Sequence, residues 1–122
     1  MADNKQYITK VQETGTVMIS EDVIVTIVSQ AVSEVEGVVG MSTKPGADIV
    51  EMLGKKNWGK GIRATIGEDD TISIDCNVVL AYGQSVVSVA AAIQTAVTAA
   101  IESMAGVKVT SVNVNVCGIV RQ

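Results

Sequence analysis

Histidine and phenylalanine are absent from this 122-residue chain, which has one Trp, two Tyr, one Pro and two Cys. Without imidazole, the commonest general base and the commonest zinc ligand are missing, which closes most routes to an activated nucleophile or a metal centre. Cys76 and Cys117 stand too far apart for a redox pair or zinc-ligand spacing and read as two reduced thiols of an intracellular protein. With aromatics at 2% of residues, Val, Ile, Ala, Leu and Met must fill the interior. Cations are scarce too: nine Lys and Arg against thirteen Asp and Glu leave a net charge of −4. That balance opposes binding along a phosphate backbone or an anionic bilayer unless a local basic patch exists. Residues 1–6 lack the apolar core of a secretion signal, so a cytoplasmic location is expected.

What is present fits one small domain with an aliphatic core. Residues 1–13 read as a flexible tail or a loosely attached edge strand, and residues 14–122 as the single domain. Val17 and Ile19 alternate with Thr16 and Met18 in a first strand that runs into Ser20, a helix N-cap followed by Glu21 and Asp22. Ile24, Ile27, Val28, Ala31 and Val35 form one helical stripe, with Gly37 as its stop. Residues 38–61 read as irregular. Two alternating runs follow, Ile62, Ala64, Ile66 and then Ile72 through Leu80, joined by turn residues Gly67-Glu68-Asp69-Asp70. Ser85 caps a long helix with Val86, Val89, Ala90, Ile93, Val97, Ala100, Ile101 and Met104 on its core side, ending at Gly106. In the last strand the apolar phase changes from Val107 and Val109 to Val112, Val114 and Val116, which predicts a bulge near Thr110-Ser111. The order strand, helix, strand, strand, helix, strand predicts an α+β two-layer sandwich, with both helices on one face of a mixed sheet and two crossover units. Residues 76–101 carry no charge, but Tyr82-Gly83-Gln84-Ser85 divides them, so no membrane span is expected.

Few motifs offer chemistry. The run from Gly54 to Gly61 spells a phosphate loop until its last position, where Gly61 replaces the Ser or Thr that holds magnesium, and it precedes a strand rather than a helix. No nucleotide or other cofactor is expected. Gly37-Val38-Val39-Gly40 has the spacing of a nucleotide-clamping loop, but Glu34 and Glu36 beside it would repel phosphates. Asp69 and Asp70 belong to a turn. The basic cluster Lys55, Lys56, Lys60 and Arg63 around Trp58 is the candidate partner-binding patch, although Trp58 could equally fold over the core's edge. Opposite the core stripe of the long helix lie Ser88, Ala92, Thr95 and Ala99, where a solvent-facing helix would carry several Lys and Glu. These small side chains make a candidate self-association face, with a homo-oligomer as one outcome.

Several segments together carry a resemblance: Gly15 to Ser20 with Val23-Ile24, Glu34 to Val38, Tyr82-Gly83, Val89-Ala90 with Gln94 and Val97, Met104 to Val107, and Val112-Asn113-Val114 with Gly118-Ile119. Their order and spacing resemble the alkaline shock protein twenty-three (Gls twenty-four) family over nearly everything from Gly15 to Val120. Ala105 departs from the family's more frequent Thr, and residues 41–60 match weakly. The resemblance implies a cytoplasmic, non-enzymatic protein of Gram-positive bacteria, linked to cell-envelope stress and held at the inner face of the membrane through a membrane-anchored partner. It transfers no catalytic residues. Two other roles stay open: a regulatory binding subunit for an enzyme of fatty-acid or lipid metabolism, and a weak RNA-binding module.

Overall fold

A computed structural model describes residues 7–41, 61–67, 69 and 71–121. The chain begins with a hairpin, β1 (Tyr7–Gln12) and β2 (Gly15–Ser20), whose strands pair antiparallel in a two-stranded sheet of their own. Helix α1 (Glu21–Ser33) follows directly, its N-cap Ser20 accepting the Val23 amide at 3.4 Å. Next come β3 (Val38–Met41), β4 (Ile62–Ile66), β5 (Ile72–Ala81), helix α2 (Val86–Ala105) and β6 (Val109–Val120). β5 is the spine of the main sheet. β6 runs parallel along one of its edges from Ile72 to Ala81, so β3 and β4, both antiparallel to β5, must lie end to end along the other.

The architecture is an α+β two-layer sandwich. On β5 the alternation of Ile72, Ile74, Cys76, Val78 and Leu80, all buried, aims one face at the helices. α2 adds Val89, Ile93, Val97, Ile101 and Ala105 at intervals of one helical turn, and α1 adds Ile24, Ile27, Val28, Ala31 and Val32. α2 packs on β6, α1 on β4, and the two helices on each other. Gly106 closes α2 in the left-handed region at φ 69°, the conformation a side chain would strain. The bulge expected near Thr110 is present: Ile72 pairs with Val109 but Ser73 with Ser111. A second register shift, between Val78 and Val79, steps β6 past Cys117.

Several expectations need correction. Segment Tyr7–Gln12 is a paired strand, and its Ile8 is fully buried, so the hairpin is closed down onto the core. The Lys10 ammonium donates to the Gly106 carbonyl at 2.7 Å, placing a cation at the negative end of α2. Because β2 is satisfied by β1, it does not enter the main sheet, and the molecule has one crossover unit, β5-α2-β6, in place of two. The first part of the stretch read as irregular is β3, too short and too Gly-rich to show a period. Met104 and Val86, expected on the core side of α2, are exposed, Met104 by 71%: the buried stripe advances strictly by four residues, leaving both on its flanks. α2 is long and apolar enough to cross a membrane by length and composition, yet its stripe is the one that covers the sheet.

Burial also sets the chemistry of Cys76. Its thiol is pushed from 9.0 up to about 12, first by desolvation and then by the neighbouring Asp75 charge. The unfolded chain therefore loses this proton earlier than the folded one. The stability contributed by the neutral buried thiol is present below pH 9.0 and lost as pH rises towards about 12. Comparison of urea unfolding for the parent and Cys76→Val between those limits should show the parent losing up to about 1.4 kcal/mol more per pH unit. Ile93→Ala, which empties a fully buried site, is expected to cost about 2–5 kcal/mol, whereas Met104→Ala should change stability by less than about 0.5 kcal/mol.

Candidate functional site

Among the described residues, no three His, Cys, Asp or Glu side chains converge to hold a metal ion. The protonated, buried Cys76 is unsuited to act as a nucleophile. Asp69 lies in the β4–β5 turn, where its carboxylate accepts the Thr71 hydroxyl at 2.8 Å. Asp70 and residues 54–60 of the phosphate-loop pattern lie outside the described residues, while Gly61 is buried just ahead of β4. Gly40 of the Gly37–Gly40 spacing is likewise buried and pairs with Val79 inside β3, so that segment is no open clamp for nucleotides.

The outer face of the main sheet is polar from Ser73 to Asn77, whereas Val79 further along it is fully buried. Side chains of neighbouring strands form a ladder across β5 and β6: Ser73 with Ser111 at 2.9 Å, Asn113 donating to Asp75 at 3.0 Å, and Asn115 donating to Asn77 at 3.0 Å. These groups satisfy one another, so the ladder stabilises the parallel pair and does not concentrate unpaired donors for a ligand. Arg63 projects from β4 on this face, in register with Asp75 and exposed. Of the basic cluster around Trp58 it alone is described; Lys55, Lys56, Trp58 and Lys60 lie outside the described residues.

The helical layer is different in character. Ser88, Ala92, Thr95 and Ala99 are all exposed along one side of α2, as helical spacing requires. A shallow depression of about 460 Å³ lies beside them, lined by Gln94, Thr95, Thr98, Ala99 and Glu102. Val87, 78% exposed, lies in the first turn of the helix, about 100° round from Ser88. Neither helix contains a Lys or Arg, and Glu102 is the one charged residue of α2. The sequence pattern marks this face because small side chains occupy positions that a free surface helix gives to charges.

A second concavity has no such marker. Between the outer surfaces of α1 and α2 runs a largely apolar groove of about 640 Å³, with Ile27, Ala31, Ala96 and Ala100 on its floor and Glu34 and Met104 at its rim. It forms because Ala31, Ala96 and Ala100 face one another where larger side chains would have closed the gap. Ala96 and Ala100 share one face of α2 four residues apart, but Ala31 lies on α1, so nothing local in the sequence joins it to them. Gln30 donates to Glu34 at 2.9 Å, which holds the rim carboxylate along α1.

The model of the alkaline shock protein twenty-three family, described as having a cell envelope-related function, matches residues 9–121. The chain is 35% identical over 105 residues to "Uncharacterized protein YqhY" of Bacillus subtilis, covering 86% of this chain and 77% of that protein. It is 36% identical over 108 residues to "Uncharacterized protein Spy1535" of Streptococcus pyogenes, covering 88% and 81%. "Uncharacterized protein YloU" of Bacillus subtilis is 32% identical over 107 residues, covering 86% and 88%. No solved structure gives a significant match. The matched span includes every described element of the main sheet and both helices, and the chain belongs to the alkaline shock protein twenty-three family, whose function is related to the cell envelope.

Proposed function

We propose that this protein is a non-enzymatic component of the envelope stress response that works by association, either with its own copies or with a membrane-anchored partner, at the inner face of the membrane. The observation that carries this reading is the outer face of α2: Ser88, Ala92, Thr95 and Ala99, exposed and uncharged, on the helix that also supplies the main core stripe. A face of this kind gives up little hydration on contact and lets another element approach closely. Because the same helix is fixed from beneath by Val89, Ile93, Val97 and Ile101, the face is rigid and needs little ordering on binding. The basic cluster of Lys55, Lys56, Trp58, Lys60 and Arg63 is the second docking element of the proposal.

The apolar groove between α1 and α2 favours keeping one other reading, a regulatory binding subunit for an enzyme of lipid metabolism. A partner's amphipathic helix fits such a groove through its apolar side. Co-purification of such an enzyme, lost on Ala100→Lys, would support that role over the first.

The main reading is tested by fractionating native cells under envelope stress. The parent chain should sediment with membranes, and the Ala92→Glu, Thr95→Glu double variant should move to the soluble fraction. Both positions are exposed, so its unfolding free energy should stay within about 0.5 kcal/mol of the parent. A stable double variant that remains with the membranes, or a parent that never reaches them, would contradict the reading.

A further inference from the structure

What charge the helical layer carries is of one sign. The stretches that hold α1 and α2, residues 21–41 and 76–106, contain Glu21, Asp22, Glu34, Glu36 and Glu102 and no Lys or Arg. The described cations are placed elsewhere: Arg63 on the outer sheet face, Lys10 on the Gly106 carbonyl, Arg121 over the Tyr82 ring and Lys108 just ahead of β6.

The apolar groove between α1 and α2 opens into this acidic surface. Its α1 wall is a single row, Asp22, Thr26, Gln30 and Glu34 at intervals of four, all exposed, of which the last three line the groove. A carboxylate thus stands at each end of the row, the two about 18 Å apart along the helix. Between them Thr26 donates its hydroxyl to the Asp22 carbonyl at 2.9 Å and Gln30 donates to Glu34 at 2.9 Å, so both are satisfied within α1. Glu34 is also the C-cap of α1, which has no basic residue in its last turn. A carboxylate at the negative end of a helix dipole is poorly placed in the chain alone, and an incoming cation relieves it. On the other side Ala92 stands one turn before Ala96, so the groove floor runs on to the outer face of α2.

We infer that this groove binds a cationic amphipathic helix of a membrane-anchored partner, the segment just inside the bilayer, with its apolar stripe on the alanine floor and a Lys or Arg at Glu34 and at Asp22. The inference rests on the association reading and names the chemistry of the partner. Charge selects the occupant. A second copy of net charge −4 brings acidic helices against the same carboxylates. A fatty acid would set its own carboxylate in a groove whose described lining holds no cation to receive it. An anionic bilayer is repelled in the same way. The cytoplasmic flanks of membrane spans are by contrast rich in Lys and Arg. A helix of about three turns spans the distance between Asp22 and Glu34, and apolar anchors at helical spacing are what a groove of this shape takes.

The probe is a synthetic amphipathic helix with a Leu stripe, made in two forms that differ only in having Lys or Glu along its flanks. Added to the full chain, the Lys-flanked peptide should shift the methyl NMR signals of Ile27, Ala31, Ala96, Ala100 and Met104. It should bind at least tenfold more tightly than its Glu-flanked twin, with the difference shrinking as salt rises. Glu34→Lys should weaken the Lys-flanked peptide at least tenfold at an unchanged thermal midpoint, since a cation suits that end of α1. In native cells, a photo-crosslinking side chain in place of Met104 should join the chain to a Lys- or Arg-rich segment beside a membrane span. Equal binding of the two peptides, or shifts that avoid the groove, overturns the inference, as does a crosslink to a soluble protein or to a second copy. If neither peptide binds while the parent still sediments with membranes, the groove inference falls and the association reading stands. A parent that never reaches the membranes overturns both. If Glu34→Lys does not fold, the comparison of the two peptides on the parent, with its salt dependence, decides by itself.

Discussion

The packing of one stripe of α2 on the parallel pair β5–β6 is the constraint on which the rest depends. A parallel pair needs a crossover connection, and a crossover helix must bury a face on the sheet it spans. Val89, Ile93, Val97 and Ile101 provide that face, and the buried side of β5 receives it. Everything else is arranged around this unit. β3 and β4 complete the second edge of β5, α1 fills the layer beside α2, and the N-terminal hairpin closes the end through Ile8 and the Lys10 contact to Gly106. At the far end of β5 the Tyr82 amide donates to the Val120 carbonyl, and Arg121 stacks over the Tyr82 ring at 5.3 Å, tying the end of β6 to the turn that begins the crossover.

Much of this is legible in the residues. The period of two in Ile72 to Leu80 and the stripe of α2 are long enough for burial to impose a clear pattern, and Ser20, Ser85 and Gly106 carry their capping roles in their side chains or lack of one. Even the bulge at Thr110 is visible, because a phase change in apolar positions has few other causes. What escapes is non-local. β3 has four residues, two of them flanking a register shift, and the pairing of β2 with β1 depends on Ile8 finding a place in the core, which a single isoleucine in a polar segment does not announce. Met104 departs from the expected core side because a helical stripe of period four drifts around the axis, so residues near its end leave the face they share at its start.

The candidate site divides along the same line. The small-residue face of α2 can be read directly, since it replaces expected charges along one helix. The apolar groove cannot, since Ala31 meets Ala96 and Ala100 only once α1 and α2 are packed side by side. The polar ladder of Ser73, Asp75 and Asn77 with Ser111, Asn113 and Asn115 is half visible: one strand's alternation is plain, but its partner and parallel register are not. Together these surfaces give the two layers different roles. The outer sheet face satisfies its own polar groups, while the helical layer presents uncharged, partly apolar relief that association can use.

The central claim is that this protein meets its partners, its own copies among them, over the outer face of α2. Backbone amide chemical shifts recorded by NMR over a wide concentration series test it most directly. The account predicts shift changes that concentrate at Ser88, Ala92, Thr95 and Ala99, with the ladder face of β5 unaffected. Changes confined to the ladder face or to the α1–α2 groove, or no changes at any concentration, would contradict it.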